Sequence, residues 1–516
     1  MSDATPPAGS APSNGEEWFG HPRGLFYLFF AEMWERFCFY GMRNILVLYM
    51  VDYFLFDKAE ASKGPYAAYT ALIYCVALPG GYIADKFLGY RKSIMFGGIV
   101  MAIGMLLMLL NDDVLGRIGL SIGQDLELLA FYLGLATIIM GNGYFKPNIS
   151  TIVGKLYGPD DPRRDGGFTI FYMGINVGAF VGGLVCGWIG EKYSWPLGFG
   201  LAALGMLLGV AVFGSKGCTK HLHGHGDPAD PELAKRSFPK ILLGSFALIP
   251  VFYLFMRNSE IVGYILGATG VVMLVSLLGL AFKNDKIQRE KIFALLVLLV
   301  FNVLFWAFFE QAGSSLTLFA KENLNREFFG WVMPASWAQN LNPLFIVTLA
   351  PLIAGMWVKL AVAKRNPSIP MKFALGLLQL GLGFGALALG CKFFSTDGIT
   401  PFVFIVILYL LNTTGELFLS PVGLSMVTKL APAKATGMVM GAWFLSISAA
   451  NFVAGQIAAL TGEVEERPAD APPLHPTETL PLYEDVYVNS AYVILAATAL
   501  LILLVPLLKK WMHGVK

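Results

Sequence analysis

The chain carries Glu32-Met33-Trp34-Glu35-Arg36 inside a stretch that is otherwise long and apolar. Ionisable side chains at the centre of a bilayer cost roughly 2.5–3.5 kcal/mol each on insertion scales, so they persist mainly where they face one another or a wet cavity. Charged groups in such a place indicate a transport pathway or a proton relay.

The charges of this first apolar stretch follow a helical repeat. On a helix, Glu32, Arg36, Tyr40 and Arg43 fall on one stripe, and Glu35 borders it. A static ion-pair network that only ties helices together is the alternative reading. Two acids and two bases on one helix are expensive for that purpose, because each buried charge must be desolvated.

The composition indicates a membrane protein throughout its length. Of the 516 residues, 56% are apolar and 14% are charged, whereas a soluble domain carries about 25% charge. Windows of about 19 residues locate apolar segments long enough to cross a bilayer. The predicted spans are 24–53, 65–85, 93–110, 127–154, 168–190, 196–214, 240–256, 261–282, 292–320, 337–358, 373–391, 401–428, 436–461 and 489–508.

The spans divide into six, two and six, because the seventh and eighth contain no charge and resemble an inserted lipid-facing hairpin. Two facing bundles place a substrate site between them near the midplane. We therefore predict an all-α integral membrane protein. Its predicted parts are a disordered cytoplasmic tail (1–23), an N-terminal six-helix bundle (24–215), a cytoplasmic linker with the inserted hairpin (216–290) and a C-terminal six-helix bundle (291–516).

The distribution of positive charge gives an orientation. Most of the 37 Lys and Arg residues fall on the side that holds both termini when the span count is even. Positive residues near span ends collect in the cytoplasm, so both termini are predicted to be cytoplasmic. The net charge of +2 gives no reason to expect a nucleic-acid partner.

Glycines recur at helical spacing, at Gly174, Gly178 and Gly182 and again at Gly381 and Gly385. Small residues four apart let helices approach closely in lipid. A nucleotide-binding loop is the alternative, but no Gly-Lys-Ser/Thr follows these glycines and no strand pattern precedes them. Helix packing is the favoured interpretation.

A lysine lies deep in the fourth span, next to a proline, in Lys146-Pro147. The proline frees a backbone carbonyl and bends the helix. Lys146 is too far from the span end to reach water by extending its chain, so Glu32 or Glu35 is the predicted partner.

The second half contributes two mid-span carboxylates, Glu310 and Glu416. Burial disfavours the charged form of a carboxylate, and a nearby cation favours it. A lysine or arginine that moves toward or away from such a group would release or load a proton, which is the physical basis of proton coupling. A permanently protonated, hydrogen-bonded glutamate is the alternative for either one.

The charges of the two halves have opposite sign, since the first supplies Arg36, Arg43 and Lys146 and the second supplies Glu310 and Glu416. A cavity between the halves would be polarised and would fit a zwitterion such as a peptide. The aromatic residues Tyr40, Tyr74, Trp306 and Trp443 are candidate walls of that cavity, with ordinary helix packing as the alternative.

No cofactor or metal is predicted, because all six histidines lie outside the apolar spans. A membrane-embedded enzyme would need a nucleophile or metal constellation, and the sequence offers none.

The first-span residues Glu32-x-x-Glu35-Arg36-Phe37-x-Phe39-Tyr40-Gly41 resemble the ExxERFxYYG signature of the proton-dependent oligopeptide transporter family, within the major facilitator superfamily. Further segments also resemble the family: Gly81-Tyr82-Ile83-Ala84-Asp85-Lys86, Phe171-Tyr172-x-x-Ile175-Asn176-x-Gly178, Phe305-Trp306-x-x-x-Glu310-Gln311, Leu341-Asn342-Pro343 and Gly415-Glu416-x-x-x-Ser420-Pro421. The resemblance covers nearly the whole core. One departure is Phe39, where the signature often has tyrosine.

The resemblance implies a non-enzymatic symporter that imports dipeptides and tripeptides with protons across the cytoplasmic membrane, with the major facilitator fold. It implies these roles: proton coupling by Glu32, Glu35, Arg36, Lys146 and Glu310; the peptide carboxylate at Arg36, Arg43 and Lys146; its amino terminus at Glu416; its backbone at Asn176 and Asn342; and side-chain pockets from Tyr40, Tyr74, Trp306, Trp443 and Ser446. An importer of nitrate or another small anion is the runner-up, which the intact Glu32/Glu35/Arg36 triplet and Glu416 disfavour.

Overall fold

The computed structural model describes residues 17–158, 161–462 and 474–515. Helices make up nearly all of it, and two short antiparallel hairpins complete it. The strands are β1 (Glu17–Trp18), β2 (His21–Pro22), β3 (Glu327–Phe328) and β4 (Trp331–Val332). The helices are α1 (Arg23–Asp52), α2 (Lys58–Ala61), α3 (Ala67–Cys75), α4 (Ala77–Ile83), α5 (Tyr90–Leu107), α6 (Asp112–Leu115), α7 (Gln124–Lys155), α8 (Arg164–Lys192), α9 (Trp195–Gly214), α10 (Lys216–His221), α11 (Pro231–Arg257), α12 (Ser259–Lys283), α13 (Lys286–Phe309), α14 (Ser315–Glu322), α15 (Leu341–Val362), α16 (Ile369–Phe393), α17 (Phe402–Leu430), α18 (Thr436–Ala459) and α19 (Pro476–Trp511).

The prediction of an all-α membrane protein is confirmed. Within the described ranges, 13 helical stretches are long and apolar enough to cross a membrane by length and composition. Helix α1 is outside that number because of its buried charges, yet it has 30 residues and packs against α8 and α9 inside the bundle. With α1 included, the spans match the predicted fourteen.

The first half is held together by close backbone approach between α1 and α8. A Cβ atom on Gly178 would lie 2.1 Å from the Met33 carbonyl oxygen, and one on Gly182 would lie 2.3 Å from the Phe37 carbonyl oxygen. No other residue type fits there, so the predicted close-packing role of these glycines is confirmed. The pair Gly381 and Gly385 on α16 packs less tightly against α19, with nearest approaches of 3.0 and 3.9 Å.

The second half is built around α16, which packs between α17 and α19, while α13 packs on α18. The two halves meet where α18 contacts α3 and where α15 contacts α8. The ends of the molecule are named here after the termini of α1, as the Arg23 end and the Asp52 end.

The helical pair α11–α12 lies at the outside of the molecule and touches both halves. Helix α11 packs on α7, where the Tyr144 and Ser245 hydroxyls are 2.8 Å apart, and α12 packs on α13 and α18. Leu243, Tyr264 and Val275 on this pair are largely exposed. Apolar side chains on an outward face of a membrane helix are suited to lipid.

The structure corrects several of the sequence-based boundaries. Helix α11 begins at Pro231, well before the predicted span 240–256. The predicted span 292–320 is interrupted by a 3-10 turn at Glu310–Gly313, between α13 and α14. Helix α19 starts at Pro476, inside the segment predicted to be a polar loop up to Asn489, because His475 and Glu478 form a capping box there.

The predicted disordered tail 1–23 also differs at its end. Residues Glu17–Pro22 pair as the β1–β2 hairpin, and Arg163 Nη1 donates to Glu17 Oε1 at 2.7 Å and to the Gly20 carbonyl at 3.2 Å. The rest of that tail, residues 1–16, lies outside the described residues.

The α1–α8 contact gives a stability prediction. Gly178→Ala places a methyl group against the Met33 carbonyl, so the helices must separate, at a cost of about 1–3 kcal/mol. Thermal unfolding in detergent should show a lower apparent Tm. The control is Gly267→Ala on α12, where a Cβ meets nothing within 4 Å. Equal Tm values for the two variants would contradict the packing argument.

Candidate functional site

A cavity of about 340 Å³ lies between the two halves. Its wall comes from α1, α3, α7 and α8 of the first half and from α13, α15 and α17 of the second. These predicted site residues line it: Glu32, Arg36, Tyr40, Arg43, Tyr74, Lys146, Asn176, Trp306, Glu310, Asn342 and Glu416. The structure therefore gathers most of the predicted site into one chamber.

The α1 charges form a compact cluster at this wall. Arg36 forms a bidentate ion pair with Glu35, in which Nη2 donates to Oε1 at 2.6 Å, and its Nε lies 3.4 Å from Glu32 Oε1. Glu35 is fully buried behind Arg36 and does not line the cavity. The guanidinium also lies over the Phe39 ring, with 5.0 Å to its centroid. Arg36 is thus the cationic partner of both Glu35 and Glu32.

Glu32 is incompletely satisfied in this arrangement. Within the described residues its Oε2 atom is buried and has no hydrogen-bond partner. A buried acceptor without a donor costs free energy comparable to a lost hydrogen bond. A proton on Glu32, or a cation that approaches it, would remove that cost.

Lys146 does not pair with Glu32 or Glu35 in this conformation, so that prediction is wrong here. Its Nζ lies 4.0 Å from the centroid of the Tyr74 ring, and within the described part of the chain no carboxylate oxygen lies within 4.0 Å of it. A cation over an aromatic face is stabilised by the ring quadrupole, which the sequence spacing could not reveal.

An ion pair joins the halves across the cavity. Arg43 Nη2 contacts Glu310 Oε2, and Arg43 Nε donates to the Tyr66 hydroxyl at 3.1 Å. Both charged side chains are at least nine-tenths buried. Removing one member of such a pair leaves the other charge buried and uncompensated.

Glu416 has a different environment from Glu310. Its Oε2 accepts from Asn342 Nδ2 at 3.0 Å, and Asn342 Nδ2 also lies 3.1 Å from the Thr413 hydroxyl. No lysine or arginine nitrogen lies within 4.0 Å of Glu416 among the residues that the structure describes. It is therefore a cavity carboxylate available to a cationic ligand group.

Trp443 and Ser446 are not among the residues that line the cavity. The Trp443 ring fills the space beside Gly423, and Ser446 Oγ accepts from Asn302 Nδ2 at 2.9 Å. Their predicted part in the side-chain pockets of the substrate site stays a prediction. The described residues contain no group of three or more His, Cys, Asp or Glu that could hold a metal ion.

The cavity is closed at the Asp52 end by contacts that the sequence analysis missed. Asn44 Nδ2 donates to Asn340 Oδ1 at 3.1 Å, across the halves. Glu191 accepts from the Ala335 and Ser336 backbone N–H groups at 2.7 and 2.8 Å. The ion pairs Asp52–Lys321 and Lys58–Glu322 lie at the same end. Asn44 follows the charged stripe, but no local signal identifies its partner in the other half.

A polarised chamber between two helical halves, with charges that pair across it, defines a multi-pass membrane transporter. The chain belongs to the POT family: residues 91–474 match the family described as PTR2, the POT family. Members of this family are transporters and not enzymes, which confirms the predicted class.

Relatives of known sequence and structure are similar over nearly the whole chain. The uncharacterized transporter YclF of Bacillus subtilis is 37% identical, covering 89% of this chain and 91% of its own length. Dipeptide and tripeptide permease B of Salmonella typhimurium is 33% identical, covering 95% and 96%. A crystal structure of a peptide transporter POT in complex with sulfate is 35% identical, with a TM-score of 0.80 and coverage of 96% and 97%.

The closure at the Asp52 end gives a prediction on conformation. A Cβ atom on Gly183 would lie 2.0 Å from Asn340 Oδ1 and 2.5 Å from Asn44 Nδ2, so Gly183→Ala separates this amide pair. We expect the variant to populate a form opened at the Asp52 end. Spin labels on the exposed residues Arg117 and Asp397 would then report an added population at longer distance.

The matched control is Gly385→Ala on α16, whose Cβ would meet Ala491 at an ordinary 3.9 Å. An unchanged distance distribution in Gly183→Ala, together with normal folding, would show that the amide pair does not hold this end closed.

Proposed function

We propose that the chain is a proton-coupled symporter that imports dipeptides and tripeptides across the cytoplasmic membrane by alternating access. The observation that carries the proposal is the polarity of the cavity, with Arg36 and Lys146 on one wall and the cation-free Glu416 on the other. Relatives named dipeptide and tripeptide permeases support it. A related POT transporter crystallised with 5-aminolevulinic acid, 29% identical with a TM-score of 0.78, also supports it.

The proposed peptide spans the cavity with its carboxylate toward Arg36 and Lys146 and its ammonium toward Glu416. Asn176 and Asn342 offer side-chain amides to the peptide backbone between these ends. A volume of about 340 Å³ is at the lower end of the roughly 300–1,000 Å³ typical of ligand sites. Such a chamber suits two or three residues better than a longer chain.

Proton coupling follows from the ion pairs of the cavity. A proton on Glu310 removes its attraction for Arg43, which releases one tie across the Asp52 end and frees a guanidinium for the substrate carboxylate. A proton on Glu32 neutralises the carboxylate whose Oε2 has no hydrogen-bond partner. Arg36 then remains paired with Glu35 alone. In both places the proton replaces the arginine as the partner of the glutamate, and the anionic end of the peptide then takes the place of that glutamate beside the arginine.

The proposed orientation puts both termini and the Arg23 end in the cytoplasm, in agreement with the excess of Lys and Arg on that side. The closed Asp52 end then faces outward. The proposed organisation keeps two six-helix bundles, 24–215 and 291–516, joined by the linker and hairpin of 216–290.

Uptake into proteoliposomes tests the function directly. Labelled dialanine should accumulate above its external concentration when an inwardly directed proton gradient is imposed, and a protonophore should abolish this accumulation. A small-anion importer would instead show competition by its anion and no accumulation of dialanine.

Glu416 has a specific predicted role. Glu416→Gln keeps the hydrogen bond from Asn342 but removes the charge that faces the peptide ammonium. A lost partner of a buried charge typically costs about 2–5 kcal/mol. Competition assays should show a loss of about 30-fold or more for dialanine and little change for its acetylated form. Equal losses for the two peptides would remove the assigned role.

The coupling carboxylates make a second prediction. Glu32→Gln, Glu35→Gln and Glu310→Gln, alone and combined, should abolish or strongly reduce accumulation driven by the proton gradient, because no site then loads the proton. Exchange of labelled for unlabelled peptide across the vesicle, which needs no net proton movement, should persist in at least one single variant. Undiminished uphill accumulation in the triple variant would contradict the mechanism.

A further inference from the structure

Two short hairpins of the chain share an unusual turn. The first carries Glu17-Trp18-Phe19-Gly20 and the second carries Glu327-Phe328-Phe329-Gly330. Phe19 and Gly20 have φ values of 50° and 77°, and Phe329 and Gly330 have 52° and 79°. A two-residue turn with both φ values positive normally uses Asn-Gly or Asp-Gly. A bulky aromatic residue is strained in that left-handed region.

The strained phenylalanines are also the most exposed part of each hairpin. Phe19 is 92% exposed and Phe329 is 110% exposed, so neither ring is covered by the protein. A comparable turn of the chain has the usual residue types. Asp397-Gly398 has φ values of 51° and 78° and carries an exposed aspartate where the hairpins have phenylalanine. A bare apolar ring on such a turn gains free energy when an apolar environment outside the folded chain covers it.

The two tips lie at opposite ends of the molecule. Strand β2 ends at Pro22, immediately before α1 begins. Lys321, shortly before β3, pairs with Asp52, the last residue of α1. The 30 residues of α1 extend for about 45 Å at about 1.5 Å per residue. That length matches the roughly 40–45 Å thickness of a bilayer with its headgroups.

Each tip packs on an aromatic residue of a long apolar helix. The rings of Trp18 and Phe19 lie 5.7 and 5.9 Å from Phe26 on α1, and the exposed Phe30 follows one turn later. At the other end, Phe328 lies 5.2 Å from Phe402, the first residue of α17. Trp and Tyr concentrate at the headgroup level of membrane proteins, and each tip carries a tryptophan, Trp18 or Trp331, beside its phenylalanines.

We propose that the two tips, Trp18-Phe19 and Phe328 to Trp331, are interfacial anchors that insert into the headgroup and upper acyl region of the two leaflets. The occupant of each exposed aromatic surface is phospholipid. Insertion covers the rings that the fold leaves bare. Insertion also fixes the depth of both ends of α1 in the bilayer. Helix α1 is the helix that carries charges of the transport cavity.

Depth-resolved quenching tests the proposal in lipid nanodiscs that hold one copy of the chain. A bimane fluorophore is attached through Phe19→Cys, Phe329→Cys or, as the polar control, Asp397→Cys. At both tips we expect strong quenching by lipids brominated high on the acyl chain, weaker quenching by deeply brominated lipids and little quenching by aqueous iodide. The Asp397 label should show the reverse preference, for iodide.

Two outcomes of the quenching experiment would overturn the proposal. Iodide access at a tip equal to that of the Asp397 label shows that the tip lies in water. Protection from both iodide and brominated lipid shows that another part of the same chain covers the tip.

The substitution Phe329→Asn should change the apparent Tm in opposite directions for a tip in water and for a tip inserted in lipid. Phe329→Asn creates the favoured Asn-Gly turn, so a tip in water should become more stable. An inserted tip should instead lose its lipid contact, and we expect a lower apparent Tm in nanodiscs, with Asp397→Asn unchanged. An unchanged or higher Tm for Phe329→Asn would overturn the anchor.

Discussion

The structure depends on the burial of the ionic groups of α1. These groups must be shielded from lipid, and they need partners inside the protein. The glycines of α8 allow α1 to approach so closely that its charged stripe is enclosed, since Gly178 and Gly182 lie against the Met33 and Phe37 carbonyls. The charges are then matched in two places, within α1 at Arg36 and across the cavity at Arg43 and Glu310. Without those partners each charge would carry an uncompensated desolvation cost.

The two arginines hold different kinds of partner, and this difference links conformation to ligand and proton. Arg36 is bound within its own helix, so its pairing does not depend on how the halves are arranged. Arg43 is bound to Glu310 in the other half, so opening the Asp52 end separates two buried charges. In the proposed mechanism, that separation becomes acceptable when Glu310 takes a proton and Arg43 takes the carboxylate of the peptide. Under that proposal, proton and substrate lower the same barrier, as symport requires.

Sequence reasoning was most successful where information is local. Hydropathy located the spans, the helical repeat located the charged stripe of α1, and glycine spacing located the contact with α8. Contacts that only the tertiary structure creates could not be predicted: Lys146 lies on the Tyr74 ring, and no local signal identifies the Asn44–Asn340 pair. The start of α19 was missed because a capping box lies in a polar segment that reads as a loop.

The 3-10 turn at Glu310–Gly313 connects the ion pair in the cavity to the closed end of the molecule. Gln311 fixes this turn, because its Nε2 donates to the Ala454 carbonyl at 2.9 Å and its Oε1 accepts from Ser315 Oγ at 2.8 Å. Helix α14 follows directly and carries Lys321 and Glu322, which pair with Asp52 and Lys58 of the first half. A change in the partner of Glu310 therefore acts at the joint of the helix whose far end closes the cavity. If α13 and α14 were one continuous helix, they would have to move together. The turn at Glu310–Gly313 would allow α14 to change its orientation while α13 stays packed on α18.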